Sequence, residues 1–381
     1  MVLSSVLRSA IVALFVAAAT PSPASAADAC PPTGPCTLQP TRAGNCKAGS
    51  STDTGLLHLQ LKFGAPKAQA CAVVDTGSTG IVLSAKYLVG ANVVRASRQP
   101  PTPSYSSSGN TYSGFWATAS NLTISDTQGG SRTIPQIDLF CATNSSANAA
   151  AGRCACDAAS ATPCPGVAMM GVGFGAVPYY TPDYNAFLQI ASAAAASSPG
   201  TCTGYAVENG ARQIRIGLSA NEPGYAMAKL PPASGAAAPG TCTPPSGWSW
   251  DWDRPPATAT ASTANANFTQ QTKLLIDSGI VYMILSNRET RPAGFQPKPA
   301  TQFVPGVNVR VTLLGVSGTA LDYAVTTVSG KASSPAPSYV RWGTPGAAYS
   351  GIINTGNQIL IGWDYLYDYS RGLNGFRKRG G

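Results

Sequence analysis

The chain has 381 residues, which exceeds one typical domain and suits two lobes of about 150 residues each. Charged residues make up only 11%, whereas 40 glycines and 31 prolines are typical of a loop-rich, mostly β protein. The basic residues behind the net charge of +9 are scattered singly, apart from Arg377-Lys378-Arg379. This pattern argues against nucleic-acid binding and indicates a charge that serves solubility and attracts acidic surfaces.

Residues 1–26 have the pattern of a cleavable secretory signal peptide. Arg8 precedes the apolar run Ala10 to Ala19, and Ala24-Ser25-Ala26 provides a small-residue cleavage site. The apolar run is too short to span a bilayer, and no later stretch is long enough. We therefore expect a soluble protein, secreted or periplasmic, without a membrane span; the alanine-rich signal favours a bacterial origin.

The ten cysteines all follow this cleavage site, which predicts up to five disulfides formed in an oxidising compartment. Cys154, Cys156 and Cys164 lie close enough in sequence to raise a metal site as the alternative. The chain has a single histidine, His58, and no paired Cys-x-x-Cys spacing, so disulfides are favoured. We expect neither a metal nor a cofactor.

Residues 27–52 form a Cys- and Pro-rich N-terminal extension. The segment Asp53-Thr54-Gly55 follows small polar residues, with no apolar strand before it, and is interpreted as an ordinary turn. Residues 56–63 then alternate between leucines and polar residues, which predicts a strand, and residues 68–74 return as a second strand.

Residues 72–84 read as strand, tight turn and strand, with Asp75-Thr76-Gly77-Ser78 at the turn. Residues 273–285 repeat the pattern around Asp277-Ser278-Gly279-Ile280. Burying an unpartnered carboxylate is costly, so a single such loop would be unusual. The two copies, one in each half of the chain, predict that the aspartates are partners.

Between the two loops, four further elements are predicted in chain order. Residues 105–110, rich in Ser, Gly and Asn between strands, predict a mobile hairpin tip. A Cys- and Ala-rich surface loop (141–165) is followed by a Gly-broken apolar strand containing Met169-Met170-Gly171, and by a helix over 185–195. The turn after residue 208 is interpreted as the boundary between the two halves.

Trp248, Trp250 and Trp252 alternate in a low-complexity stretch, where they would share one face of a strand. They indicate either a substrate or carbohydrate platform or, more simply, a loop pinned to the protein by aromatic burial. Residues 307–314 and 339–342 are predicted strands. Near the end, Ile359-Leu360-Ile361-Gly362 is interpreted as the counterpart of Met169-Met170-Gly171.

The paired Asp-Thr/Ser-Gly loops and their companion Gly strands resemble those of the pepsin-like, bilobal aspartic proteases. The resemblance implies an all-β fold with few short helices, in which two pseudo-twofold-related β lobes flank an interlobe cleft. The N-terminal lobe would span residues 53–208 and the C-terminal lobe residues 209–381. The implied activity is that of an endopeptidase, acting as a monomer on an extended polypeptide bound in the cleft.

The resemblance also implies roles for individual residues. Asp75 and Asp277 would hold a water that hydrolyses the peptide bond without a covalent intermediate, one carboxylate acting as base and the other, protonated, as acid. Thr76 and Ser278 would brace the loops by hydrogen bonds, while Gly77 and Gly279 supply turn geometry and N–H groups, and Ser78 and Ile280 complete the loops. In the hairpin, Tyr105 is the first candidate and Tyr112 the second for a contact with the pair of aspartates. The alternative is a surface hairpin whose tyrosine serves only packing.

Ile280 departs from the family pattern, which places Ser or Thr after the glycine of both loops. Isoleucine cannot hydrogen-bond a carboxylate, so we expect Asp277 to be the protonated partner and the pH optimum to lie above that of acid-stable pepsins. The same departure supports an alternative, a catalytically impaired pepsin-fold protein that binds peptides or another enzyme. Two carboxylates could also serve a glycosidase, but that enzyme class does not need them on duplicated turns, so it is disfavoured. A serine triad is disfavoured because His58 is the only histidine that could act as its base.

Overall fold

The computed structural model describes residues 30, 34–47, 53–105, 107–175, 181–233, 240–242, 248, 251–286, 295, 305–327, 335–337, 339–343 and 351–380. The predicted signal peptide, residues 1–26, lies outside this part of the chain. Within it the protein is mostly β, with few short helices and two β lobes, as the sequence predicts.

The strands of the first half are β1 (Cys36–Leu38), β2 (Thr41–Ala43), β3 (Asp53–Lys62), β4 (Gln69–Asp75), β5 (Thr79–Ser84), β6 (Val93–Arg95), β7 (Ser104–Tyr105), β8 (Asn110–Thr111), β9 (Gly114–Ser125), β10 (Ser131–Ala142), β11 (Ala168–Val172) and β12 (Thr201–Glu208). Those of the second half are β13 (Gln213–Ser219), β14 (Ala226–Lys229), β15 (Pro256–Ser262), β16 (Asn267–Leu275), β17 (Met283–Ser286), β18 (Asn308–Gly315), β19 (Gly318–Thr326), β20 (Val340–Gly343), β21 (Ile352–Asn354), β22 (Trp363–Asp368) and β23 (Leu373–Lys378). The α-helices are α1 (Ser146–Ala150), α2 (Ala186–Ser197) and α3 (Ile359–Gly362).

The two lobes are built on the same arrangement of strands. The first lobe's sheet has the order β2-β3-β4-β11-β5-β10-β9-β6, and the second lobe's sheet has the order β19-β18-β15-β16-β21-β17-β20. In each lobe the strand entering the Asp loop runs parallel to an inserted strand, β4 to β11 and β16 to β21. The inserted strand is antiparallel to the strand leaving the loop, β5 or β17. The repeated pattern therefore places the two aspartates at equivalent positions.

A third sheet, with the order β1-β13-β12-β22-β23-β14, takes strands from both halves of the chain. The predicted boundary after residue 208 falls in the turn between β12 and β13, which pair antiparallel in this sheet. The division into 53–208 and 209–381 stays a prediction.

Asp53-Thr54-Gly55, interpreted as a turn, begins strand β3 instead, so that prediction was wrong. Ala43 of β2 pairs with Asp53 across a register shift, and the Thr54 hydroxyl donates to the carbonyl of Arg42. These contacts with a neighbouring strand hold the segment extended, although no apolar run precedes it. The predicted strand is confirmed, and the leucines at 57, 59 and 61 are buried, although His58 on the opposite face is buried as well.

Ile359–Gly362 forms helix α3 and not the predicted Gly strand, so that assignment was also wrong. The strand register identifies the true counterpart of Met169-Met170-Gly171. Met169 pairs with Val73, two residues before Asp75, and Asn354 pairs with Leu275, two residues before Asp277. The counterpart is therefore Asn354-Thr355-Gly356, which lacks the apolar residues that the pattern required.

The helix predicted over 185–195 is α2, whose bounds differ by no more than two residues. The Asn185 side chain accepts hydrogen bonds from the N–H groups of Phe187 and Leu188, so it caps the helix N-terminus. Its amide also donates to the carbonyl of Val172 at the end of β11. The cap therefore ties α2 to the inserted strand of the first lobe.

All ten cysteines form disulfides, so the predicted disulfides are confirmed. Cys154, Cys156 and Cys164 are disulfide-bonded and do not form the alternative metal site. The pairs are Cys30–Cys36, Cys46–Cys71, Cys141–Cys154, Cys156–Cys164 and Cys202–Cys242. The insertion over 141–165 is thus held by two of the bridges. None of the helices within the described ranges is long and apolar enough to cross a membrane.

Trp252 is buried, and its indole N–H donates to the carbonyl of Tyr369 at 2.7 Å. Trp248 is half-buried against the ring of Tyr369, with centroids 5.4 Å apart. These two tryptophans pack against the protein as the pinned-loop interpretation expects, whereas Trp250 lies outside the described residues.

Candidate active site

Asp75 and Asp277 face each other between the two lobes. Asp75 is the last residue of β4, and Asp277 follows β16 by two residues; they are 4% and 6% exposed. Each carboxyl group lies against the glycine of the other loop, which brings the two carboxyls together. A Cβ atom at Gly279 would lie 2.7 Å from Cγ of Asp75, and one at Gly77 would overlap Cγ of Asp277. Only glycine at these positions lets the loops approach so closely.

Thr76 and Ser278 join the loops by reciprocal hydrogen bonds behind the carboxyls. The N–H of each residue donates to the side-chain oxygen of the other at 3.0 Å. The Thr76 hydroxyl donates to the carbonyl of Ile276 at 2.7 Å, and that of Ser278 donates to Val74 at 2.6 Å. Both side chains are buried, so this network fixes the relative position of the two loops.

Each carboxyl accepts one backbone and one side-chain hydrogen bond. For Asp75, Oδ1 accepts from the N–H of Gly77 at 2.7 Å and Oδ2 from the hydroxyl of Ser78 at 2.5 Å. For Asp277, Oδ1 accepts from the N–H of Gly279 at 2.9 Å and Oδ2 from the side-chain amide of Asn354 at 2.5 Å. Ile280 offers Asp277 no hydrogen bond, but Asn354 of β21 supplies a side-chain donor in its place.

Burial raises the pKa of Asp75 well above its ordinary value, and the nearby charge of Asp277 raises it further, against the opposing hydrogen bonds from Ser78 and Gly77. Burial also raises the pKa of Asp277, but the hydrogen bonds from Asn354, Asp75 and Gly279 oppose it. Two buried carboxyls in contact cannot both ionise cheaply, so the pair holds one proton over a wide pH range.

The dyad forms the floor of a cleft with a volume of about 290 Å³. The hairpin of β7 and β8 covers it, and both Tyr105 and Tyr112 line the cleft, with their rings edge to face and centroids 6.1 Å apart. Ser78 and Ile280 line the cleft as well, whereas Thr76 and Ser278 lie behind it. The structure thus gathers every predicted site residue around the two carboxyls.

The hairpin tip is tied to the opposite lobe. The carbonyl of Ser107 accepts hydrogen bonds from the Tyr282 hydroxyl and from Nη1 of Arg341, both at 2.8 Å. The Tyr282 ring stacks on Tyr339, with centroids 4.7 Å apart. Neither Tyr282 nor Arg341 was a sequence-predicted site residue, because no local pattern marks a contact between segments so distant in the chain.

Asn354 is the other site residue that sequence reasoning missed. The one available signal was the glycine two residues later, Gly356, which keeps the position of Gly171 in the strand register. Among the described residues no cluster of three or more His, Cys, Asp or Glu side chains could hold a metal ion.

No protein-family model matches the chain, and neither does any curated protein. Among solved structures, the crystal structure of basic 7S globulin from soybean aligns with 91% of this chain and 97% of that chain, with a TM-score of 0.50 and 13% sequence identity. At this identity the likeness defines the fold alone. The protein therefore has a pepsin-like fold, in agreement with its strand order and its paired loops.

Proposed function

We propose that the protein is an aspartic endopeptidase of the pepsin-like family, a bacterial-type, secreted or periplasmic member that cleaves extended polypeptides as a monomer. The observation that carries the proposal is the pair of buried, closely apposed carboxyls at the floor of an interlobe cleft. Sharing one proton, such a pair supplies a base and an acid at the same time. Five disulfides are typical of the oxidising compartment that the signal-like N-terminus predicts.

In this mechanism a water held between the carboxyls attacks the peptide carbonyl. The ionised carboxyl takes a proton from the water as the C–O bond forms, and the protonated carboxyl gives its proton to the carbonyl oxygen. The tetrahedral diol then collapses: the C–N bond breaks, the nitrogen takes a proton from the first carboxyl, and a diol hydroxyl returns one to the second. No bond to the enzyme forms, and the dyad ends as it began.

The second candidate is a peptide-binding protein that does not hydrolyse its ligand. Ile280 favours it, since an apolar side chain stands where the first loop places the hydroxyl of Ser78. Both candidates use the same cleft and the same extended ligand, but only the protease needs both carboxyls to exchange protons.

Cleavage of an unfolded, carboxymethylated protein between pH 3 and 8 separates the two. We expect peptide products from the parent and a loss of at least about 100-fold in kcat/KM for Asp75→Asn and for Asp277→Asn, the usual effect of removing an acid or base. Asp183→Asn, at a partly buried position outside the cleft lining, is the control for a lost carboxylate. No cleavage by the parent at any pH, or cleavage unchanged in Asp75→Asn, would favour the binding protein.

A further inference from the structure

The two carboxyls of the dyad receive their side-chain hydrogen bonds from different chemical groups. Oδ2 of Asp75 accepts from a hydroxyl, that of Ser78, whereas Oδ2 of Asp277 accepts from a primary amide, that of Asn354. Asn354 belongs to the inserted strand β21 and not to the Asp loop, and it occupies the register position of Met169 in the first lobe. The two otherwise matching sites are therefore chemically asymmetric.

The orientation of the Asn354 amide follows from its second hydrogen bond. The backbone N–H of Gly356 donates to Oδ1 of Asn354 at 2.9 Å, so this atom is the carbonyl oxygen. The atom that faces Asp277 at 2.5 Å is consequently the NH₂ group. Asn354 is only 8% exposed, and β21 pairs with both β16 and β17, which holds the side chain in place.

This difference bears on where the dyad keeps its proton. A hydroxyl donates to an ionised carboxylate but can rotate and accept from a protonated one, so Ser78 accommodates Asp75 in either state. An amide NH₂ group can only donate. It stabilises the charged form of Asp277 and offers no acceptor to a proton on Oδ2.

We propose that Asn354 is a positioning residue that keeps Asp277 ionised, as the base, and so assigns the shared proton to Asp75, as the acid. The assignment is opposite to the one that Ile280 alone suggests. It rests on the proposed function for its kinetic consequences, whereas the hydrogen-bond geometry itself does not depend on catalysis.

The surrounding charges favour the same assignment. Buried Arg254 acts on Asp277 and lowers the pKa of that carboxyl. Among the described residues, Tyr205 interacts electrostatically with Asp75 and Tyr282 with Asp277, while Tyr105 and Tyr112 line the same cleft. Burial raises the pKa of Tyr205, Tyr282 and Tyr112, so these hydroxyls stay neutral where the dyad titrates. Arg341 also lines the cleft, and its charge acts on Tyr282.

Carbon-13 NMR of protein labelled at aspartate Cγ tests the assignment without any activity measurement. Asp75→Asn and Asp277→Asn identify the two signals. At a pH where the parent dyad holds one proton, we expect the Asp277 signal to be that of a carboxylate and the Asp75 signal that of a carboxylic acid. The reverse order in the parent would overturn the proposal, with no variant of Asn354 required.

The variant Asn354→Leu replaces the amide by an apolar side chain of similar size. In the Asp75→Asn background, where Asp277 titrates alone, we expect it to raise the pKa of Asp277 by about one unit, a tenfold change in proton affinity that a lost charge-assisted hydrogen bond produces. An unchanged titration in a folded protein would overturn the proposal. If Asp75→Asn retained full cleavage, the proposed function would fall, while this titration would still decide the role of Asn354.

Kinetics separate a positioning role from a structural one. For Asn354→Leu we expect kcat to fall about tenfold with little change in KM, and the acidic limb of the pH profile to move up by about one unit. Adding Ile280→Thr returns a hydroxyl donor to the loop position that Ser78 occupies in the first lobe, and should recover most of kcat. A loss of kcat that the second change leaves untouched would contradict the proposal.

Discussion

Thr76 and Ser278 connect the two lobes at the residue scale, because each side chain serves the backbone of the other's loop. Replacing Thr76 by valine keeps the shape but removes the hydroxyl, which leaves the N–H of Ser278 and the carbonyl of Ile276 without their buried partner. Each unsatisfied group costs about 1–3 kcal/mol. We expect Thr76→Val to lower the free energy of unfolding by about 2–4 kcal/mol, measured by chemical denaturation with the disulfides intact.

Thr76→Ser is the matched control for this experiment. It keeps the hydroxyl and deletes one buried methyl group, for which a cost of about 1 kcal/mol is usual. If the valine and serine variants lost equal stability, packing and not the hydrogen-bond network would explain the contribution of Thr76.

The hairpin of β7 and β8 is the element that covers the dyad, and its position depends on the carbonyl of Ser107. Tyr282 and Arg341 both donate to this atom from the other lobe. We expect the double variant Tyr282→Phe, Arg341→Met to free the tip, because a two-strand hairpin is marginal without tertiary contacts. Amide hydrogen exchange at Gly109, whose N–H donates to Tyr105, should become at least about tenfold faster, corresponding to one or two lost hydrogen bonds.

Tyr339 offers the control for the hairpin variant. Its ring stacks on Tyr282, yet among the described residues its hydroxyl makes no hydrogen bond to the hairpin. Tyr339→Phe therefore removes a hydroxyl from the same aromatic pair without touching the tip. Equal acceleration of exchange in both proteins would show that losing any hydroxyl from this aromatic pair frees the hairpin, so that the bonds to Ser107 are not what holds it.

The elements also show how far the sequence could predict the site. Both Asp loops are local patterns of strand and turn, so their chemistry and the fold class follow from the residues themselves. The companion strand of the second lobe could not be predicted in this way. Asn354-Thr355-Gly356 keeps only the glycine of the pattern, and a more apolar tetrapeptide lies five residues further on. Parallel pairing with β16 distinguishes the two, and such long-range pairing leaves no local trace.

At the scale of the whole molecule, the shared sheet joins the halves through charge as well as strand pairing. Glu208 of β12 accepts from Arg215 of β13 and from Arg377 of β23. Arg377 also pairs with Asp364 of β22, so the basic run near the C-terminus is in part neutralised inside the sheet. The prediction of a dispersed charge thus missed this cluster, because its members come from four separate strands.

Asp251 adds a pH dependence to the contact between the halves. Its carboxylate accepts from the N–H groups of Trp252, at 2.8 Å, and Gly175, at 3.3 Å, yet burial raises its pKa to about 6. A carboxyl whose pKa is higher in the folded than in the unfolded state stabilises the fold below about pH 4, and that stabilisation is lost as the pH rises through 6. The loss amounts to about 2–3 kcal/mol for a shift of this size.

We therefore expect the difference in free energy of unfolding between the parent and Asp251→Asn to change by about 2–3 kcal/mol in favour of the variant between pH 4 and 8. The pKa values of Asp75 and Asp277 are also raised in the folded protein, so these residues add a pH dependence of the same sign. That contribution is common to both proteins and cancels in the difference. Chemical denaturation at unit steps of pH measures it. A difference that stayed constant over this range would show that Asp251 titrates alike in the folded and unfolded chains, so that its burial has no effect on the stability of the molecule.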